Sequence, residues 1–384
     1  MISAGAVELG YKLLAYCALH QRILGSVPSG QSSPDGVCSG TPRADMNRRD
    51  FLATAVGVPL AAALPGRVHA RELLHFDRAA RLSAERRGVS MLVMSAGQVL
   101  FEDYPNEGAA GRPWETASGT KSFCGVMAAA AVADGLLTLD EPCVRTLPEW
   151  SNDARAQITL RQLLNLTSGL AGARIGRPPE YAQAIAATLS DAPGSRFAYS
   201  PTPFQVFGEI MRRKLRAAGR GENPVAWLRS RVLAPIGVTV DRWRLGADGM
   251  PLLPQGAALT ARDWARFGQW VLDGGQSVDA AALSACFEGS TANPGYGLTW
   301  WLLRPGLVPP GPGTRAGLEA APQELADEDV VMAAGAGNQR LYLLRRRRLV
   351  VVRQASGILE AMAGRGPVWR DGEFLRALLG TPSG

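Results

Sequence analysis

The sequence predicts an α/β fold of the α+β type: one antiparallel sheet built from strands near both ends of the chain, flanked by helices, with a mainly helical region (about residues 119–290) inserted between them. Three observations predict it. Apolar, β-rich runs lie before about residue 105 and return after about residue 295. The stretch between them spaces its apolar residues at helical intervals and breaks them with Gly and Pro. At 384 residues and 46% hydrophobic content, the chain is long enough to bury a large core. A cleft is expected where the strand-built and helical parts meet.

The first elements read as an address rather than as fold. Met46-Asn47 is followed by Arg48-Arg49-Asp50-Phe51-Leu52, an alanine-rich apolar run over 53–64, and Val68-His69-Ala70. Charged head, apolar middle and small-residue cleavage site are the order of an export signal, here over residues 46–70. Paired arginines before Phe51-Leu52 are of the twin-arginine kind, so the expected partner is the twin-arginine export machinery. Residues 1–45 then read as an upstream extension, and the mature domain spans 71–384, beginning near Arg71. An alternative is a short amphipathic helix over 11–24, followed by Ser/Gly/Pro-rich sequence to Arg43. No apolar segment is long enough to span a bilayer, so a periplasmic or secreted location is expected.

Residues 90–94 and 99–104, separated by Ser95-Ala96-Gly97-Gln98, read as a hairpin. Helices are expected over 118–137, 160–166, 203–217, 224–233 and 261–272. Strands return over 296–303, 330–334, 341–344 and 349–352, and 371–379 closes the chain as a helix. The Pro/Gly-rich stretch 304–328 is long for a plain connection and reads either as a rim of the cleft or as a surface insertion.

Composition removes several kinds of chemistry. The net charge of +7 comes from arginine, since the lysines are Lys12, Lys121 and Lys214 alone. Charge is scattered except for the arginines at 345–348, which sit between two apolar runs and read as a solvated hairpin turn rather than a nucleic-acid patch. The cysteines, Cys17, Cys38, Cys124, Cys143 and Cys286, show neither a C-x-x-C pair nor a zinc or disulfide spacing. They read as buried apolar residues, and a Cys124 to Cys143 bridge stays open. Of His20, His69 and His75, the first two precede the expected mature start. A Ser-His-Asp triad would have to recruit His75, and a multi-histidine metal site lacks ligands. There is no phosphate loop, and Gly335-Ala336-Gly337 lacks the following helix that dinucleotide binding needs. Neither a metal nor a cofactor is expected.

What remains is Ser118-Gly119-Thr120-Lys121, opening an apolar helix through Phe123, Val126, Met127 and Ala130. Residues three apart share a helix face, with Cβ atoms roughly 5–6 Å apart. That spacing suits a nucleophile and its base. Lysine can lose its proton when buried, whereas guanidinium stays charged. The start of the helix adds partial positive charge that favours an oxyanion. The same string also fits a capping serine with a solvated lysine one turn on.

Ser118-Gly119-Thr120-Lys121-Ser122-Phe123 resembles the nucleophile motif of the serine β-lactamase-related, penicillin-recognising serine hydrolase superfamily, especially its esterase and aminohexanoate-dimer (nylon-oligomer) hydrolase branch. Gly135-Leu136-Leu137-Thr138-Leu139-Asp140, the run from Ile158 to Leu170, the run from Leu259 to Gly268, and Tyr296-Gly297-Leu298-Thr299-Trp300-Trp301 are similar to signatures of that group. The resemblance spans about residues 75–380. It implies that Tyr199, in Phe197-Ala198-Tyr199-Ser200-Pro201, relays protons between serine and leaving group. Pro201 stands where the family has an Asn. The third motif is matched by Ala333-Ala334-Gly335-Ala336, where only the glycine is kept. By resemblance, the Ala336 N–H joins that of Ser118 in an oxyanion hole, and Gly335 lets the backbone approach the substrate. The cation that relatives carry at Ala333 is missing, which implies a neutral, small-molecule ester or amide substrate. The expected activity is therefore acyl transfer to water on Ser118, with Lys121 and Tyr199 as acid and base. The alternatives are a penicillin-binding or peptidoglycan-editing enzyme and an inert binding protein of the same fold. Trp300, Trp301, Tyr181 and Tyr104 are aromatic enough to line a pocket, but such residues more often pack in cores.

Overall fold

The structure, a computed structural model, describes residues 74–310 and 323–380. The expected extension, the export signal, Cys17, Cys38, His20 and His69 lie outside the described residues. Nine strands are described: β1 (Gly88–Ser95), β2 (Gln98–Asp103), β3 (Trp114–Glu115), β4 (Arg242–Trp243), β5 (Ala257–Leu259), β6 (Trp301–Leu302), β7 (Val330–Gly335), β8 (Gln339–Leu344) and β9 (Leu349–Ala355). Five helices matter most for the site: α1 (Phe76–Glu85), α2 (Ser122–Ala133), α3 (Thr202–Ala217), α4 (Ala261–Leu272) and α5 (Asp371–Leu379).

Six strands form one sheet in the order β2-β1-β9-β8-β7-β6, with every neighbouring pair antiparallel. The expected closure of the two chain ends is the β1–β9 ladder, where Leu92 faces Val352 and Val93 faces Val351. Strand alternation sorts the two faces. Leu341, Leu343 and Val350 meet α4 at Gly268, where an added Cβ would lie 2.7 Å from Leu341 Cδ1. The intervening residues Arg340 and Tyr342 reach Asp371 of α5 on the opposite face. Helices therefore cover both faces. This explains why β7, β8 and β9 are buried along their whole length and read as continuous apolar runs.

The arginines at 345–348 form the β8–β9 turn, as expected, and pair with acids: Arg345 with Asp329 at 2.9 Å, Arg347 with Glu328 at 2.8 Å, and Arg348 with Asp273. Cys124, Cys143 and Cys286 are buried free thiols. Among the described residues no helix is long and apolar enough to cross a membrane.

Three expectations shift. The helix expected over 118–137 begins as a 3-10 turn, Ala117–Lys121, and continues as α2 only to Ala133. The segment 224–233 is helical to Leu228 and then widens into a π turn, Arg229–Leu233. The strand expected over 296–303 shrinks to β6, because Thr299 takes a left-handed φ of 75° and the Gly297 N–H donates to Trp300 O, turning the chain back on itself. The stretch 304–328 is described only at its ends, where Asn293 clasps the backbone of Val308 through two 2.9 Å bonds and residues Gln323–Ala326 are helical.

Candidate active site

The small sheet β3-β5-β4 fixes the turn that carries Ser118. Thr116, directly after β3, donates its N–H to Ala257 O at 2.9 Å. Thr120 Oγ1 donates to Ala117 O at 2.7 Å and accepts from Ala257 N at 3.2 Å, so one hydroxyl ties turn and sheet together. These bonds hold Ala117 at φ 46°, a left-handed conformation that costs a non-glycine residue about 1–3 kcal/mol. Ala117, Gly119, Thr120 and Lys121 are buried, while Ser118 stays partly open. The fold thus presents one hydroxyl from an otherwise enclosed turn.

Lys121 Nζ donates to Ser118 Oγ at 2.9 Å and to Pro254 O at 2.9 Å. It also lies 4.9 Å from the centroid of the Tyr199 ring and 5.4 Å from that of Phe204. The lysine is 5% exposed, which excludes the alternative of a solvated lysine one turn beyond a cap. Tyr199 packs on Trp301 at 5.6 Å between ring centroids, so its ring forms a wall beside the amine. Pro201 supplies no amide. The second acceptor for Lys121 comes instead from Pro254, a backbone carbonyl on the approach to β5. Ser200 Oγ faces elsewhere, accepting from Thr202 N at the start of α3 and from Ala173 N, each at 3.2 Å.

The end of β7 runs flush against the Ser118 turn. A Cβ on Gly335 would sit 2.1 Å from Thr116 O and 3.1 Å from Ser118 N, so only glycine fits. Ser118, Tyr199, Gly335 and Ala336 all line one cavity of about 390 Å³. Ala333, on Gly335's side of the strand by alternation, is buried and outside that lining. The Arg340 guanidinium donates to Gly335 O at 3.2 Å and is itself held by Asp371 at 2.8 Å. A buried ion pair thereby fixes the strand end beside Ser118.

Of the four aromatics left unassigned, only Trp301 lines the cavity. Trp300 is core, Tyr181 donates to Pro251 O, and Tyr104 donates to Glu102. The buried thiols offer no rival nucleophile, since burial pushes Cys124 and Cys143 well up and Cys286 up to about 12, which keeps them protonated. Sequence reasoning misses Pro254 O, Arg174, Leu359 and Met362, which hold Lys121 or line the cavity. A backbone carbonyl carries no residue-type signal, and the other three become site residues only through tertiary placement.

A family model described as Beta-lactamase matches residues 75–357. No curated protein sequence matches. Several solved structures share the fold. EstCE1, titled a hydrolase with promiscuous acyltransferase activity, is 17% identical with a TM-score of 0.59 over 81% of this chain and 99% of its own. A β-lactamase from Mycobacterium bovis is 20% identical with a TM-score of 0.53 over 78% and 98%. A D-stereospecific amidohydrolase from Streptomyces sp. is 17% identical with a TM-score of 0.53 over 78% and 98%. With most of its length inside the family match, from the first helix to the end of the sheet, the chain belongs to the β-lactamase family of serine hydrolases.

Proposed function

We propose that the protein hydrolyses an ester or amide through an acyl-enzyme on Ser118, with Lys121 as its base. The observation that carries this reading is the 2.9 Å contact between a buried Lys121 Nζ and Ser118 Oγ at the cavity. With Nζ neutral, the hydroxyl proton passes to the amine as Oγ bonds to the substrate carbonyl carbon and the carbonyl electron pair moves onto oxygen. Pro254 O keeps the amine aimed during the transfer. The backbone N–H groups of Ser118 and Ala336 meet the oxyanion. Collapse re-forms the carbonyl and breaks the bond to the leaving group, which takes the proton back by way of Lys121 and Tyr199. Water then repeats the sequence on the acyl-enzyme, releasing the acid and restoring Ser118.

The test is turnover of an activated short-chain ester by wild type, Ser118→Ala and Lys121→Met, with thermal melts to confirm that each variant is folded. Wild type turns over and both variants fall to background. Equal turnover by a folded Ser118→Ala would sink the reading. The second part of the proposal is export by the twin-arginine route to the periplasm or medium, supported by the ordered head, core and cleavage site in residues 46–70. N-terminal sequencing from the host finds a start near Arg71 if this holds. A cytoplasmic chain retaining Met1 contradicts it.

A further inference from the structure

Among the described residues, the cavity beside Ser118 is lined by two arginines, Arg174 and Arg340, and by no Asp or Glu. These two cations differ. Arg340 is buried and its charge is met by Asp371 at 2.8 Å. Arg174 stands exposed on the rim and forms no ion pair with any described residue.

The loop beneath Arg174 is anchored to the catalytic machinery at both ends. The Ala173 N–H donates to Ser200 Oγ at 3.2 Å, one residue from Tyr199. Gly176 O accepts from Gln255 Nε2 at 3.4 Å, one residue from the Pro254 carbonyl that holds Lys121. Between the anchors, the Arg177 N–H donates to Arg174 O at 3.0 Å and closes a turn. Across the mouth, Met362 presses on the same loop, where a Cβ on Gly176 would lie 2.2 Å from Met362 Cε. The backbone under Arg174 therefore keeps a fixed offset from Ser118.

We propose that Arg174 is an anion subsite and that the substrate is an ester or amide bearing a carboxylate away from the scissile carbonyl. A planar guanidinium meets a carboxylate through two parallel N–H bonds. Among the described residues, no acid in the lining competes for it. The neighbouring wall is apolar, made by Ile175, Leu359 and Met362. Such a wall favours a monoanion on a hydrocarbon chain over a phosphate dianion, whose desolvation costs more. This proposal departs from the neutral substrate expected from the missing cation at Ala333, because a different element brings a cation to the cavity.

This inference rests on the Ser118 reading, and the experiment separates the two. Two activated esters of equal chain length are compared, one ending in a carboxylate and one in a carboxamide, by kcat/KM in wild type, Arg174→Gln, Arg174→Lys and Arg174→Glu. Wild type prefers the carboxylate by about tenfold, the size of one charge-assisted hydrogen-bonded contact. The preference disappears in Arg174→Gln, returns in part in Arg174→Lys, reverses in Arg174→Glu, and in wild type weakens with added salt. Equal use of both esters by wild type, or a preference that survives Arg174→Gln, overturns the subsite while Ser118-dependent turnover of the carboxamide ester leaves the nucleophile in place. Absence of turnover of either ester by wild type overturns the Ser118 reading and the subsite with it.

Discussion

The turn around Ser118 and the rim above it are built on opposite terms. The turn is enclosed: Thr116, Thr120 and Lys121 are buried, one threonine hydroxyl serves two backbone groups, and Gly335 leaves no room for a methyl group. On the rim, Leu359 is 78% exposed and Met362 and Arg174 are exposed, so their side chains stand in solvent above a backbone that Ser200 and Gln255 anchor. Groups that make and break bonds need fixed geometry, and the groups proposed for that role here are held by the sheets on either side. The side chains proposed to recognise the substrate are the exposed ones, and substitution there costs little stability.

The largest effect expected from this contrast is on activity. Lys121→Arg keeps the charge but removes the group able to lose its proton, so kcat for an activated ester falls by roughly 10²–10⁴-fold while the protein stays folded. Activity within tenfold of wild type would show that Lys121 is not the base. Next comes Gly335→Ala, whose new methyl must displace Thr116 O. Overpacking of this kind costs about 1–3 kcal/mol, and urea denaturation and ester turnover should decline together. A stable, active Gly335→Ala would mean that β7 does not clamp the turn. Thr120→Val leaves Ala117 O without its hydroxyl donor and Ala257 N without its acceptor. A loss of about 1–3 kcal/mol is expected from such orphaned buried groups, read as a lower urea midpoint with lower kcat. At the small end, Leu359→Ser should shift stability by less than about 0.5 kcal/mol. Its effect belongs in KM, as a rise of a few-fold for esters with a longer acyl chain, in line with partial exposure of a few CH₂ groups. A stability loss as large as that of Thr120→Val would erase the distinction between turn and rim.

The same division decides what was legible in the sequence. Ser118 and Lys121 stand three residues apart on one turn, so their contact is local and can be read from spacing. The bounds of α4 and α5 follow from equally local signals, Thr260 capping one start and Gly380 closing one end in a left-handed conformation. α1 gives little to read, because its buried face is Ala79, Ala80 and Ser83, small side chains that make no run of large apolar residues. The segment 296–303 misleads because its aromatic alternation suits a strand, while Thr299 bends the backbone back. Pro254 and Arg174 reach the site only when distant segments fold together, and no spacing along the chain announces that.

The central claim is that Ser118 is the nucleophile that carries the acyl group, and the most direct measurement is the mass and position of a phosphonyl adduct formed by that nucleophile. Mature protein is treated with a fluorophosphonate, weighed intact, digested and mapped, with Ser118→Ala alongside. One adduct per chain, on the peptide containing Ser118 and absent from the variant, is the predicted result. An adduct on another residue, or none on a folded protein that still hydrolyses esters, would contradict it.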